Sequence, residues 1–199
     1  MEYSESFKKL IEDPKRVRVL ANNSFLNSKG FEQWKGARGL IANFINKDGT
    51  ILDIGCSNGF LLRCLQEWSP YEIIPYGIDC NKGLVWKARE LFPMQKENFI
   101  FKLFAHIDEL PEAGFPERFD FIYWNVWDNY DVTGTKELDQ IKTVLNLVNS
   151  GGRLILGFYG SNRENNFKKI KSLEKEGYNF SKISENHYGD GCVIACIDK

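Results

Sequence analysis

Residues 51–60 read ILDIGCSNGF. A short apolar run stops at a glycine, a tight turn follows, and Phe60 opens a segment with Leu61, Leu62 and Leu65 at helical spacing. A buried strand that runs through a glycine turn straight into a helix opens a βαβ unit, and that unit needs a right-handed crossover to a parallel neighbour. Ser57 or Asn58 supplies an acceptor to cap the helix, and Ser69-Pro70 ends it near Trp68.

The rest of the chain repeats this alternation. IIPYGID (73–79) reads as a second strand, although Pro75 removes a ladder donor from it. Lys82 to Leu91 reads as a helix, Asn98 to Ala105 as a third strand and FDFIYWN (119–125) as a fourth. Thr135 to Asn149 has Leu138, Ile141, Leu145 and Val148 on one helical face, with Gly151-Gly152 as its stop. RLILGFYG (153–160) is a fifth strand and Arg163 to Lys175 a charged helix. YNFSKIS (178–184) and GCVIACID (191–198) then follow with no helix between them. Their link, ENHYGDG, is rich in turn residues, so the final strand is expected to run antiparallel. Strands that alternate with helices form a mostly parallel sheet covered on both faces.

Before residue 50 the pattern differs. Residues 5–12 and 33–46 have helical spacing, separated by the polar stretch ANNSFLNSKG. At 199 residues the whole chain fits one domain. Its net charge of −1 gives no support for nucleic acid as a partner. The five cysteines are odd in number and form no CxxC pair, and only two histidines accompany them, so neither a disulfide framework nor a metal site is expected. Reduced thiols, a start (MEYSESFKKLIED) without a signal-peptide pattern, and no apolar stretch near the ~20 residues of a membrane span point to the cytoplasm and away from a membrane.

The turn discriminates among nucleotide folds. In the dinucleotide pattern GxGxxG, counted from Gly55, the second and third glycine positions hold Ser57 and Phe60. Phe60 stands where close helix–strand packing needs a glycine. No Gly-Lys-Ser/Thr follows, so a phosphate loop of the Walker type is also excluded. In the spacing GxGxG the positions are Gly55, Ser57 and Gly59, a match at two of three with a small residue between.

With that spacing, residues 50–199 resemble the class I methyltransferases that use S-adenosylmethionine (SAM). The resemblance implies a Rossmann-like α/β fold, a mostly parallel sheet ending in an antiparallel strand hairpin. It implies a SAM site formed by Gly55, Cys56, Ser57 and Gly59, with Asp53 orienting the cofactor amino group. Asp79, at the end of the second strand, would hold both ribose hydroxyls, since one carboxylate offers two acceptor oxygens to two adjacent donors. Cys80 would lie by the adenine. Aligning Leu110-Pro111 with the family's leucine–proline pair places His106 where the family carries an aspartate facing the adenine amine; a neutral histidine can accept there through one ring nitrogen. Ile107 would offer its backbone N–H to the ring. Asn125, in NVWD after the fourth strand, completes the cofactor residues, but the prolines that accompany it in amino-group methyltransferases are missing, so methylation of a base or glutamine amine gains no support.

The resemblance leaves residues 1–48 as a helical N-terminal lid with Tyr3, Phe7, Phe25, Phe31 and Trp34, suited to a small-molecule acceptor. The lid carries nine Lys/Arg against six Asp/Glu, a modest excess for an RNA partner. RNA or protein methylation and a non-catalytic SAM-binding subunit are the competing functions. Methyl transfer needs a general base only if the acceptor must lose a proton; Asp128 and His187 are the candidates. Alternation along FDFIYW makes some of Phe119, Phe121, Tyr123 and Trp124 ordinary core, whereas Trp127 and Tyr130 lie beyond the strand, where they line a pocket or pack as satellites.

Overall fold

Strand β1 (Gly49–Ile54) is the centre of the molecule and pairs parallel with β2 (Ile73–Asp79) on one side and β4 (Phe119–Val126) on the other. The computed structural model describes residues 2–23, 30–126, 130–159, 163–186 and 192–199. Within these, β3 (Phe99–Phe101) extends the sheet beyond β2 and β5 (Val148–Phe158) beyond β4, both parallel. β7 (Val193–Asp198) runs antiparallel between β5 and β6 (Lys182–Glu185), which gives the order β3-β2-β1-β4-β5-β7-β6. The strand order reverses between β1 and β4, so a crevice opens there at the carboxyl ends of the strands, where open α/β sheets bind ligands.

Successive strand residues point to opposite faces, and β4 shows it. Phe121 and Tyr123 enter one layer, with α4 (Phe60–Trp68) and α5 (Lys82–Leu91); Ile122 and Trp124 enter the other, with α6 (Thr135–Asn146) and α7 (Arg163–Lys175). The first layer also holds α1 (Glu5–Ile11), α2 (Pro14–Asn23) and α3 (Phe31–Arg38). Trp34 of α3 stacks on Phe60 with ring centroids 5.3 Å apart, and its indole N–H donates to the Cys64 sulfur at 3.3 Å. Phe7 of α1 is fully buried and meets Tyr3 and Phe31 edge-on. At about 1.5–3 kcal/mol for each large apolar side chain withdrawn from water, these contacts tie the N-terminal helices into the core layer.

Several elements differ from the sequence expectation. α2 was not foreseen, although Asp13-Pro14 starts it and Val17, Leu20 and Ala21 form its buried stripe. The helix expected over 33–46 is instead α3 followed by a 3-10 segment, Gly39–Phe44. The third strand is three residues long and passes into a 3-10 turn, Phe104–Glu109. The helix expected to reach Asn149 ends at Asn146, and Gly151-Gly152 lies inside β5 rather than stopping a helix. There the pairing of β4 with β5 jumps from Phe119↔Val148 to Phe121↔Arg153. A Cβ on Gly152 would stand 2.6 Å from the Asp120 carbonyl oxygen, so the glycines serve an irregularity between adjacent strands. β6 and β7 are shorter than expected but run in the expected antiparallel sense. Pro75 is accommodated because its carbonyl edge faces the start of β3, where the Asn98 side-chain amide, not a strand, donates to it at 3.0 Å.

Candidate functional site

The turn after β1 alternates left-handed residues: Gly55 at φ +83°, Ser57 at +52° and Gly59 at +74°. A Cβ on Gly59 would come within 3.1 Å of Ala88 and Phe92, so this glycine lets α5 close on the turn. Among the described residues a Cβ on Gly55 would meet nothing within 4 Å, so this glycine borders open space at the strand end. Ser57 pays for its left-handed backbone with about 1–3 kcal/mol, the usual cost for a residue with a Cβ.

Three sets of contacts hold that shape. The N–H groups of Gly55 and Cys56 both donate to the Ile78 carbonyl at 2.9 Å. The Ser57 N–H donates to Asp79 Oδ2 at 2.8 Å, and the Asn81 N–H to Asp79 Oδ1 at 2.8 Å. Asn58 is fully buried; its Oδ1 accepts from the Phe60 N–H at 3.1 Å and its Nδ2 donates to the Leu20 carbonyl at 2.9 Å. Each Asp79 oxygen has a further acceptor site beyond its backbone partner. Cys56 turns its side chain into the core, its N–H goes to Ile78 and its carbonyl accepts from Gly59, so it shapes the turn from beneath. Cys80 is exposed beside Asp79.

Asp53 ends up buried, 3% exposed, one residue short of the strand end. Burial first, and the Asp79 carboxylate second, push its carboxyl up to about 8. A group in that state is suited to a cation, whose arrival would favour the ionised form. On the same sheet face, at the ends of β4 and β5, the Tyr123 and Tyr159 hydroxyls are 2.8 Å apart. The Arg38 guanidinium, 5% exposed at the end of α3, lies 3.9 Å over the Tyr159 ring. Asn125 follows two residues after Tyr123, and among the described residues its buried Oδ1 has no hydrogen-bond partner. An orphaned buried acceptor is costly unless a donor arrives.

On the β3 side, the His106 ring is half exposed and its Nδ1 lies 2.8 Å from Glu109 Oε1. Glu109 is held below the usual carboxylate range by Lys102 first and His106 second. If Nδ1 carries the proton toward Glu109, Nε2 of the neutral ring is left as an acceptor. Ile107 is buried beside it, and the Lys102 N–H donates to the Asp79 carbonyl, which ties this turn to the end of β2.

The structure thus brings Asp53, Gly55, Ser57, Asp79 and Asn125 to one edge of the sheet, with Cys80 and His106 at its β3 end. Arg38, Tyr159 and the bridging role of Asn58 were missed. A buried arginine leaves no mark in a pattern of apolar spacing, whereas the sequence offers Ser57 or Asn58 as a helix cap but gives no sign of a second partner in α2. Tyr130 packs edge-on against Trp124, and its hydroxyl donates to Gln140 Oε1 at 2.7 Å with the Glu137 carbonyl 3.2 Å away. Phe25, Trp127, Asp128 and His187 lie outside the described residues.

No protein-family model and no curated protein sequence matches this chain. Its structure, however, is similar to many solved ones. A SAM-dependent methyltransferase from Aquifex aeolicus superposes with a TM-score of 0.58 at 18% identity, over 98% of this chain and all of that one. A putative methyltransferase of Haloferax volcanii, solved in complex with the Trm112 methyltransferase activator, gives 0.64 at 13% identity over 99% of both chains. Fibrillarin from Aeropyrum pernix, solved with natively bound SAM, gives 0.57 at 14% identity over 82% of this chain and 74% of that one. The likeness is one of fold: the chain has the Rossmann-like fold of class I methyltransferases.

Proposed function

We propose that the chain is a SAM-dependent methyltransferase whose acceptor is a small molecule. The observation that carries the reading is the pairing of Asp79 with the glycine turn. Its carboxylate is fixed by two backbone N–H groups beside the open space at Gly55, as a bidentate acceptor for vicinal hydroxyls must be. The residues present fit the cofactor in two further respects. Asp53 is a buried acid in want of a cation, and Asn125 a buried acceptor in want of a donor.

In this reading Asp79 binds the ribose hydroxyls and Asp53 the cofactor ammonium group. Gly55, Cys56, Ser57 and Gly59 give the turn its shape, Cys80, His106 and Ile107 border the adenine, and Asn125 closes the far end. When bound, SAM supplies an electrophilic methyl group. The protein's part is to hold the acceptor atom in line with it and keep water out. Asp128 and His187 are the candidates for removing a proton from the acceptor. The buried Arg38, Tyr123 and Tyr159 form an enclosed polar wall next to Asn125, and this favours a small acceptor over a polymer. The free cysteines and the absence, among the described residues, of a helix long and apolar enough to cross a membrane are in keeping with a cytoplasmic location.

The test is methyl transfer from labelled SAM to separated metabolite, RNA and protein fractions. Label in the metabolite fraction is the expected result. Label in RNA or protein alone would replace the small-molecule acceptor. SAM binding with no transfer to any fraction would make the chain a non-catalytic SAM-binding subunit.

A further inference from the structure

Asn58 stands between the cofactor turn and the N-terminal helices. Its Oδ1 accepts from the Phe60 N–H, one of the first N–H groups of α4, which have no partner inside that helix. Its Nδ2 donates to the Leu20 carbonyl, in the last turn of α2. One fully buried side chain thus joins the start of α4 to the last turn of α2, across 38 residues of sequence from Asn58 to Leu20. Its backbone neighbour Ser57 holds a left-handed conformation and donates to Asp79. A change in Ser57 cannot leave Asn58 in place, because both of Asn58's polar ends are fixed inside the core.

We propose that Asn58 is a positioning residue that couples the cofactor turn to α2, so that SAM binding at Ser57 and Asp79 also orders the N-terminal helices. The proposal rests on the SAM reading above. The coupling needs no contact between the cofactor and α2. Ordering of residues 55–59 fixes the Asn58 amide, and the amide fixes the carboxyl end of α2. Asn58→Asp separates the two functions of the side chain: an oxygen remains to cap α4, while the donor to Leu20 is replaced by an acceptor facing an acceptor. Asn58→Ser also keeps a capping oxygen and adds no charge, while its shorter side chain withdraws the amide that reaches Leu20.

The experiment combines SAM titration by calorimetry with hydrogen exchange of the full chain, with and without SAM. In the parent, SAM is expected to slow exchange in residues 55–62 and in 14–23 together. In both variants SAM should bind about five- to tenfold more weakly, the scale of one lost net hydrogen bond. It should still protect 55–62 and no longer protect 14–23. A merely structural asparagine would lower stability in both states and leave the SAM-linked protection of α2 intact. Retained protection of α2 in either folded variant, or SAM binding by the parent with no change in α2, overturns the coupling and spares the cofactor reading. A parent that binds no SAM overturns both.

Discussion

Asp53 and Asp79 do different work although they are near neighbours. Asp79 is anchored by two backbone donors, and Asp79→Ala would remove the charge-assisted contacts that we propose it makes to the ribose. SAM affinity measured by calorimetry should fall about ten- to a hundredfold, or roughly 1.5–3 kcal/mol, in a variant that stays folded. Asp53 carries a pH signature. Its folded-state carboxyl is raised to about 8 from the usual carboxylate value. Between about pH 4 and 8 the folded chain therefore holds a proton that the unfolded chain has lost, and stability contributed by this group falls as pH rises through that window. Asp53→Asn should gain stability over the parent as pH rises, and the difference should level off above 8, as read from melting temperatures at a series of pH values without SAM. Binding a cation requires that proton to leave. SAM affinity should thus climb from pH 6 toward 8 in the parent, by no more than about tenfold per unit, and be flatter in the variant.

Among the elements, the N-terminal helices bear the most testable packing. Trp34 is 1% exposed, stacks on Phe60 and donates its indole N–H to the Cys64 sulfur. Trp34→Ala should cost about 3–5 kcal/mol in denaturant unfolding, the range for deleting a large buried aromatic; a cost below about 1 kcal/mol would mean that α3 is not part of the core. The lid remains our proposal for residues 1–48, in the restricted sense that ligand-linked ordering acts on helices already anchored by Phe7, Leu10, Val17 and Trp34. The parallel strands were legible because they are apolar runs bounded by turns, and the antiparallel end was legible because no helix separates the last two strands. α2 was missed because its three buried residues sit among Lys15, Arg16 and Arg18, which hide a narrow stripe. The end of α6 was misjudged because a glycine pair marks a helix stop and a strand irregularity equally well, and only the approach of Gly152 to Asp120 separates them. Within the site, the glycine turn was legible from its spacing, and Asp79 entered only through the family resemblance. Arg38 was not legible, since its burial depends on α3 meeting the end of β5, a contact between segments more than a hundred residues apart.

For the whole molecule, the sheet order β3-β2-β1-β4-β5-β7-β6 sets where chemistry can happen. It places the reversal between β1 and β4, and the acids of β1 and β2 and the amide of β4 meet at that edge. Fold alone does not choose the cofactor, because dinucleotide enzymes share the crevice. The choice falls on the turn, where Phe60 is fully buried in the position that a dinucleotide site gives to glycine. Calorimetric titration of the full chain with SAM, S-adenosylhomocysteine and NAD therefore decides the cofactor. SAM and S-adenosylhomocysteine should each bind with one site per chain and NAD should give no heat of binding; NAD binding in the absence of SAM binding would contradict the assignment.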